Sequence, residues 1–256
     1  RRPDMVTSNE FARTADDGRF HLRISGAPGK GVAEIVVRTL KAFDSAQRLN
    51  KLFDAAAGFV GGLMADLERT QPPPRPIACG EGCAYCCTGI EVHVSAFEVL
   101  RIADHVSRNL TRSDLADLVK TTKAVDAKKN SAREAGAEHP RFTCPLLVDN
   151  RCLVYDVRPF ICRGFNSYDA LKCEQRKRDG IESVVIEGYV HPKKVAKSAL
   201  NGVRLGCIAA GLEDDVLDLA PALLIALTNP DSRERWLGGE AVFETARVRL
   251  GFEDAD

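Results

Sequence analysis

Seven of the nine cysteines in this 256-residue chain fall into two short runs. The first is Cys79-x3-Cys83-x2-Cys86-Cys87. After 56 residues come Cys144-Pro145, Cys152 and Cys162-Arg163. Thiolates three or four residues apart can converge on one metal, which is why such spacings recur in zinc and iron–sulfur sites. Gly80, Gly82 and Gly89 let the backbone turn tightly there and offer N–H groups to sulfur. The adjacent side chains of Cys86 and Cys87 diverge, so ligation by both calls for a multinuclear centre or two neighbouring sites. Seven thiols also exceed the four of a tetrahedral zinc site. Both points favour an iron–sulfur cluster, with zinc or iron ions as the alternative. Cys173, on the polar helix after Cys162, is an eighth candidate ligand. Cys207 lies in an Ala/Leu/Ile-rich helix and reads as a small core residue.

With their companions Pro145-Leu146-Leu147, Leu153-Val154-Tyr155, Arg158-Pro159 and Arg163, these cysteines resemble the CxxCxxCC family of zinc- or iron-chelating proteins (YkgJ-like cysteine-cluster proteins). The resemblance covers about residues 79–165. The chain departs from the pattern by placing three residues, not two, between its first cysteines. The resemblance implies bacterial, cytoplasmic metal binding, of the kind labelled an iron–sulfur oxidoreductase. A similar pattern in flagellin lysine N-methylases implies peptide- or protein-modifying chemistry, with a protein or peptide substrate or a redox partner.

Other side chains near the cysteines have supporting roles. Arg158 and Arg163 either stabilise thiolates electrostatically or organise the turn by bonding backbone carbonyls. Tyr155 is expected to shield the centre from water. His93, alternating with Glu91 on an expected strand, is the best-placed histidine for a ligand or proton donor.

The positioning elements follow from periodicity. Apolar residues from Val32 to Leu67 form a helical stripe, with a kink or break expected at Gly58 or Gly61-Gly62. Gln71-Pro72-Pro73-Pro74-Arg75-Pro76 is an extended linker. Ser95-x2-Glu98 is a capping box opening a helix to about Ser107, and Thr111-x2-Asp114 opens another. Residues 121–139, poor in large apolar groups, read as a solvated helix end or mobile loop. Residues 144–156 form a hairpin around Asp149-Asn150. A two-residue turn puts Cys152 opposite Leu147, and strand alternation then sends Cys144 to the other face, against shared ligation. A three-residue loop puts both on one side. Helices are expected at 167–179, 192–210 and 213–227, with a short one after Asn229-Pro230. Trp236 and Arg233-Glu234-Arg235 read as a solvated helix face.

The fold class is therefore mainly α: helices around an irregular cysteine-rich metal-binding segment with a short β-hairpin. The expected division is a polar arm at 1–30 with a possible strand at 20–25, a long helix and linker at 31–76, the metal-binding domain at 77–165, and a helical region at 166–256. Lys plus Arg equals Asp plus Glu at 36 each, so no nucleic-acid or anionic-membrane partner is expected. An odd cysteine count without a secretory signal favours cytoplasmic metal chemistry over a disulfide framework. Arg1-Arg2 lacks the apolar stretch of an export signal. Gly29-Lys30-Gly31 lacks the rest of a phosphate loop.

Overall fold

The computed structural model describes residues 26–42, 45–80, 82–89, 91–137, 141–180, 184–213 and 215–248. The strand expected at 20–25 lies outside them. The described chain is mainly helical, with two antiparallel pairs of two-residue strands. No helix among the described residues is long and apolar enough to cross a membrane.

The long apolar stripe becomes two helices, α1 (Gly26–Ala42) and α2 (Ser45–Thr70). The first helix ends at Ala42 and the second begins at Ser45, so the division is not at the glycines. Gly58, Gly61 and Gly62 lie within α2, where nothing packs within 4 Å of an added Cβ. Their flexibility costs stability without breaking the hydrogen-bonded ladder. Helix α1 also claims residues 26–30, which the polar arm was expected to include.

The start signals read from sequence open α3 (Ala96–Asn109) with a capping box and α4 (Arg112–Glu134) with a Thr111 cap that accepts the Asp114 N–H. In the first, Ser95 Oγ accepts the Glu98 N–H and the Glu98 carboxyl accepts the Ser95 N–H. Helix α4 carries the charged stretch to Glu134, burying Thr122 and Lys129 along it, so residues 121–134 are helix and not a loop.

Strand β1 (His93–Val94) enters α3, and the hairpin follows as β2 (Leu147–Val148) and β3 (Arg151–Cys152). Helix α5 (Phe160–Gly164) carries Cys162, and α6 (Ala170–Asp179) carries Cys173. They are followed by α7 (Val190–Ala209), β4 (Leu217–Asp218), α8 (Leu219–Thr228) and α9 (Ser232–Leu237). Helix α8 starts later than its apolar run suggests because Leu217 and Asp218 pair with Val94 and His93. Asp218 then caps α8, its carboxyl accepting the Ala220 N–H.

Helices α1, α2 and α7 pack mutually, α8 packs on α3 and α4, and α5 sits on α7. The α1–α7 seam is close because Gly202 and Gly206 face it. A Cβ at Gly202 would lie 2.3 Å from the Gly29 carbonyl oxygen. Phe97, Ile102, Phe160, Leu223, Phe243 and Trp236 are fully buried. Burying side chains of this size stabilises the fold by about 2–3 kcal/mol each. Trp236 corrects the solvated-face expectation: it enters the core while its neighbour Arg233 pairs with Asp104 at 2.9 Å. Cys207 is buried within α7, as its apolar surroundings suggested.

Candidate metal centre

The cysteines are assembled by backbone hydrogen bonds between segments far apart in sequence. The proline-rich linker leaves α2 and is fastened on the way. Arg75 lies over the Tyr168 ring at 4.5 Å and pairs with Glu187, and the Gln71 carbonyl accepts the Tyr189 hydroxyl at 2.6 Å. Ala78 N–H then donates to Ser167 O at 2.8 Å, so Cys79 starts beside the chain leaving α5. Gly82, with φ +78°, makes the turn between Cys79 and Cys83 that other residues rarely adopt. The chain next forms a 3-10 turn, Cys86–Thr88, packed on α6. At its centre the Cys87 carbonyl accepts the Cys144 N–H at 2.7 Å. That bond joins the two cysteine runs.

The hairpin has a two-residue turn. Asp149 and Asn150 have φ of +48° and +58°, and Cys152 pairs with Leu147. Strand alternation nevertheless fails to reach Cys144, because a turn intervenes: the Cys144 carbonyl accepts the Leu147 N–H at 3.1 Å. Cys144 and Cys152 consequently lie within charge-interaction range of each other. The reason for expecting the two sulfurs to diverge is absent, since Cys144 is not on the strand.

Cys86, an exposed residue, interacts with thiols of both runs: it lies within charge-interaction range of Cys79, Cys144, Cys152 and Cys162, and its thiol is hydrogen-bonded with Cys87. Cys79, Cys83, Cys86 and Cys173 line a cavity of about 310 Å³. Cys144, Cys152 and Cys162 lie deeper, against the hydrophobic core. Cys173 therefore joins the cavity-side group, and Cys207 is remote from both. As placed, no three Cys, His, Asp or Glu side chains among the described residues meet closely enough to grip an ion. Closing on a metal requires the sulfurs to draw together.

The donor set nonetheless fits a metal. Backbone N–H groups face several sulfurs, with Leu146 donating to Cys144, Val154 to Cys152 and Ser167 to Cys79. Such bonds favour the charged thiolate. Against them, burial pushes the Cys144 thiol up to about 11 and raises Cys162 and Cys152. Sharing a hydrogen bond with Cys87 raises Cys86. Neighbouring sulfurs add to the effect at Cys79, Cys144, Cys152 and Cys162, since like charges repel. A bound cation would reverse that balance by stabilising several thiolates at once.

The two arginines divide the roles foreseen for them. Arg163 donates to the Arg158 carbonyl at 3.1 Å and the Asp156 carbonyl at 2.6 Å, organising the turn before α5. Arg158 acts electrostatically, its charge favouring the Cys152 thiolate. Tyr155 does not shield the site. Its side of the turn faces solvent, with the residue 62% exposed and Arg158 stacked 3.9 Å from the ring centroid. His93 belongs to a different group. Its Nε2 lies 4.0 Å from Glu91, which pairs with buried Lys129 at 3.1 Å, and Lys129 in turn holds Asp218 at 2.6 Å.

Glu98 is the residue that sequence reasoning underused. Fully buried, it completes the capping box with one oxygen while the other accepts the Phe160 N–H at 2.8 Å. Phe160 opens the helix carrying Cys162, so one carboxyl fixes the start of α3 and the start of α5. The capping-box spacing was the available signal; the contact with Phe160 lies 62 residues away.

Residues 78–180 match the CxxCxxCC family, described as a "Putative zinc- or iron-chelating domain". The matched span contains all eight candidate thiols and ends before Cys207. No curated protein and no solved structure matches the chain. The family match supports metal binding by this segment, with zinc or iron as the metal.

Proposed function

We propose that the CxxCxxCC segment of this chain holds a multinuclear iron–sulfur centre, used in redox chemistry on a molecule bound in the adjoining cavity. The observation that carries the reading is that Cys86, beside Cys87, interacts with thiols of both runs. Eight thiols around one turn exceed what a single tetrahedral ion uses. Cys79, Cys83 and Cys173 would hold the centre from the cavity side. Cys144, Cys152 and Cys162 would hold it from the core side, together with Cys86 and Cys87. An iron–sulfur group supplies electron transfer or an open iron position.

The protein supplies the setting. Leu146, Val154 and Ser167 present N–H groups to sulfur, Arg158 offsets negative charge at Cys152, and Glu98 anchors the helix bearing Cys162. The core-side thiols back onto the hydrophobic core, and the cavity side admits a partner.

A zinc reading also has support. Cys86, Cys144, Cys152 and Cys162 form a set of four, the number of a closed structural site that contributes folding energy. Anaerobic purification separates the readings. The iron–sulfur centre predicts brown protein with charge-transfer absorption and comparable amounts of iron and acid-labile sulfide per chain. Colourless protein with stoichiometric zinc and no sulfide would overturn it.

A further inference from the structure

Beyond its thiols, the cavity has a lining of basic and apolar side chains. Arg141, Arg176, Lys177 and Lys193 line it, and among the described residues no carboxylate does. Arg176 and Lys177 come from the last turn of α6 and Lys193 from the first turn of α7. Arg141 lies across Gly89 with its Cδ 3.6 Å from where a Cβ would be. It donates to the Arg176 carbonyl at 2.9 Å and to the Lys177 carbonyl. None of Arg176, Lys177 or Lys193 makes an ion pair with a carboxylate among the described residues; Lys177 lies 5.9 Å from the Tyr85 ring centroid. Phe165, Ile186, Tyr189 and Val190 supply apolar surface to the same space. That wall is firmly built: Asn166 donates to the Tyr189 carbonyl at 2.9 Å and accepts the Tyr189 N–H at 2.6 Å.

The described lining brings four cations and no carboxylate together with apolar surface in one space, and a cavity of about 310 Å³ is at the lower end of small-molecule sites. We infer that this cavity binds a small organic anion: a phosphate or carboxylate head held by Arg141, Arg176, Lys177 and Lys193, with an apolar body against Phe165, Ile186 and Tyr189. The inference deepens the proposed function by naming the class of molecule brought to the cavity-side thiols, and it rests on that reading only for its redox consequence.

Phenyl phosphate is a suitable probe, titrated calorimetrically into anaerobically purified protein, with metal measured on the same samples. Inorganic phosphate tests the head alone and benzyl alcohol the neutral body. Phenyl phosphate should bind saturably, inorganic phosphate more weakly and benzyl alcohol not at all. Lys193→Gln and Arg176→Gln should each weaken binding about tenfold or more at unchanged metal content, since each removes a charge-assisted contact. Lys193→Arg should retain it. Lys193 is exposed, so its variants test the site without disturbing the core. No saturable binding of phenyl phosphate, or equal affinity in all variants, would overturn the inference. Parallel loss of metal and binding would also overturn it, by assigning the cations to the centre alone. Protein lacking metal but binding phenyl phosphate through Lys193 would overturn the iron–sulfur reading while supporting the anion site.

Discussion

Replacing Cys86 with alanine should strip the protein of most of its metal, and Cys87→Ala should act similarly, whereas Cys207→Ala should leave metal content near that of the wild type. Charge at Cys86 acts on thiols of both groups, on Cys79 on the cavity side and on Cys144, Cys152 and Cys162 on the core side. Removing Cys86 takes away a thiol that acts on both groups, beside the backbone bond from the Cys144 N–H to the Cys87 carbonyl, which the substitution leaves in place. Cys207 lies in the α7 core, 2% exposed. Its replacement removes only a small buried group, for about 1 kcal/mol of stability. Metal analysis of the three purified variants checks this. Equal metal loss in all three would contradict the separation of candidate ligands from core thiols.

Glu98→Ala should destabilise the protein by about 2–5 kcal/mol in chemical denaturation, among the larger effects of a single substitution. The carboxyl accepts from the Ser95 and Phe160 N–H groups in the core, and its removal leaves both buried donors unsatisfied. Metal retention should fall as well, because the helix bearing Cys162 loses its anchor. Glu98→Gln keeps the shape and one acceptor and should be milder. The charge itself has a signature. Burial raises the Glu98 pKa above its ordinary 4.5, opposed by hydrogen bonds from Ser95 and Phe160 and by nearby Arg163. Between the unfolded value and the raised folded value, the folded state binds more protons, so this carboxyl's contribution to stability falls as pH rises through that window. Glu98→Gln should abolish that part of the pH dependence. An unchanged slope in the variant would show that Glu98 does not titrate there.

What was legible in the sequence was local. Ser95 and Glu98 announce a capping box because its partners are three residues apart, and Asp149-Asn150 announces a turn because those residues tolerate positive φ. The tertiary consequences were not legible. Nothing near Glu98 in sequence indicates Phe160. The hairpin's alternation rule was sound, yet it did not reach Cys144, which is turned away before the strand begins. The glycines of α2 mark weak helix propensity, but packing against α1, α7 and α3 overrides it. Trp236 sits in a charged run whose neighbour Arg233 finds Asp104 on another helix, so local polarity misrepresented its burial. Spacing gathered the cysteines into two runs, while the approach of the two runs to each other, with Cys173 on the cavity side, depends on α5 and α6 being folded against the linker.

The central claim is that thiols from both runs surround one multinuclear metal centre. X-ray absorption at the metal edge of anaerobically purified protein tests it most directly. The account predicts a coordination shell of sulfur together with metal–metal scattering from a cluster. A shell dominated by oxygen or nitrogen, or sulfur ligation without any metal–metal path, would contradict it.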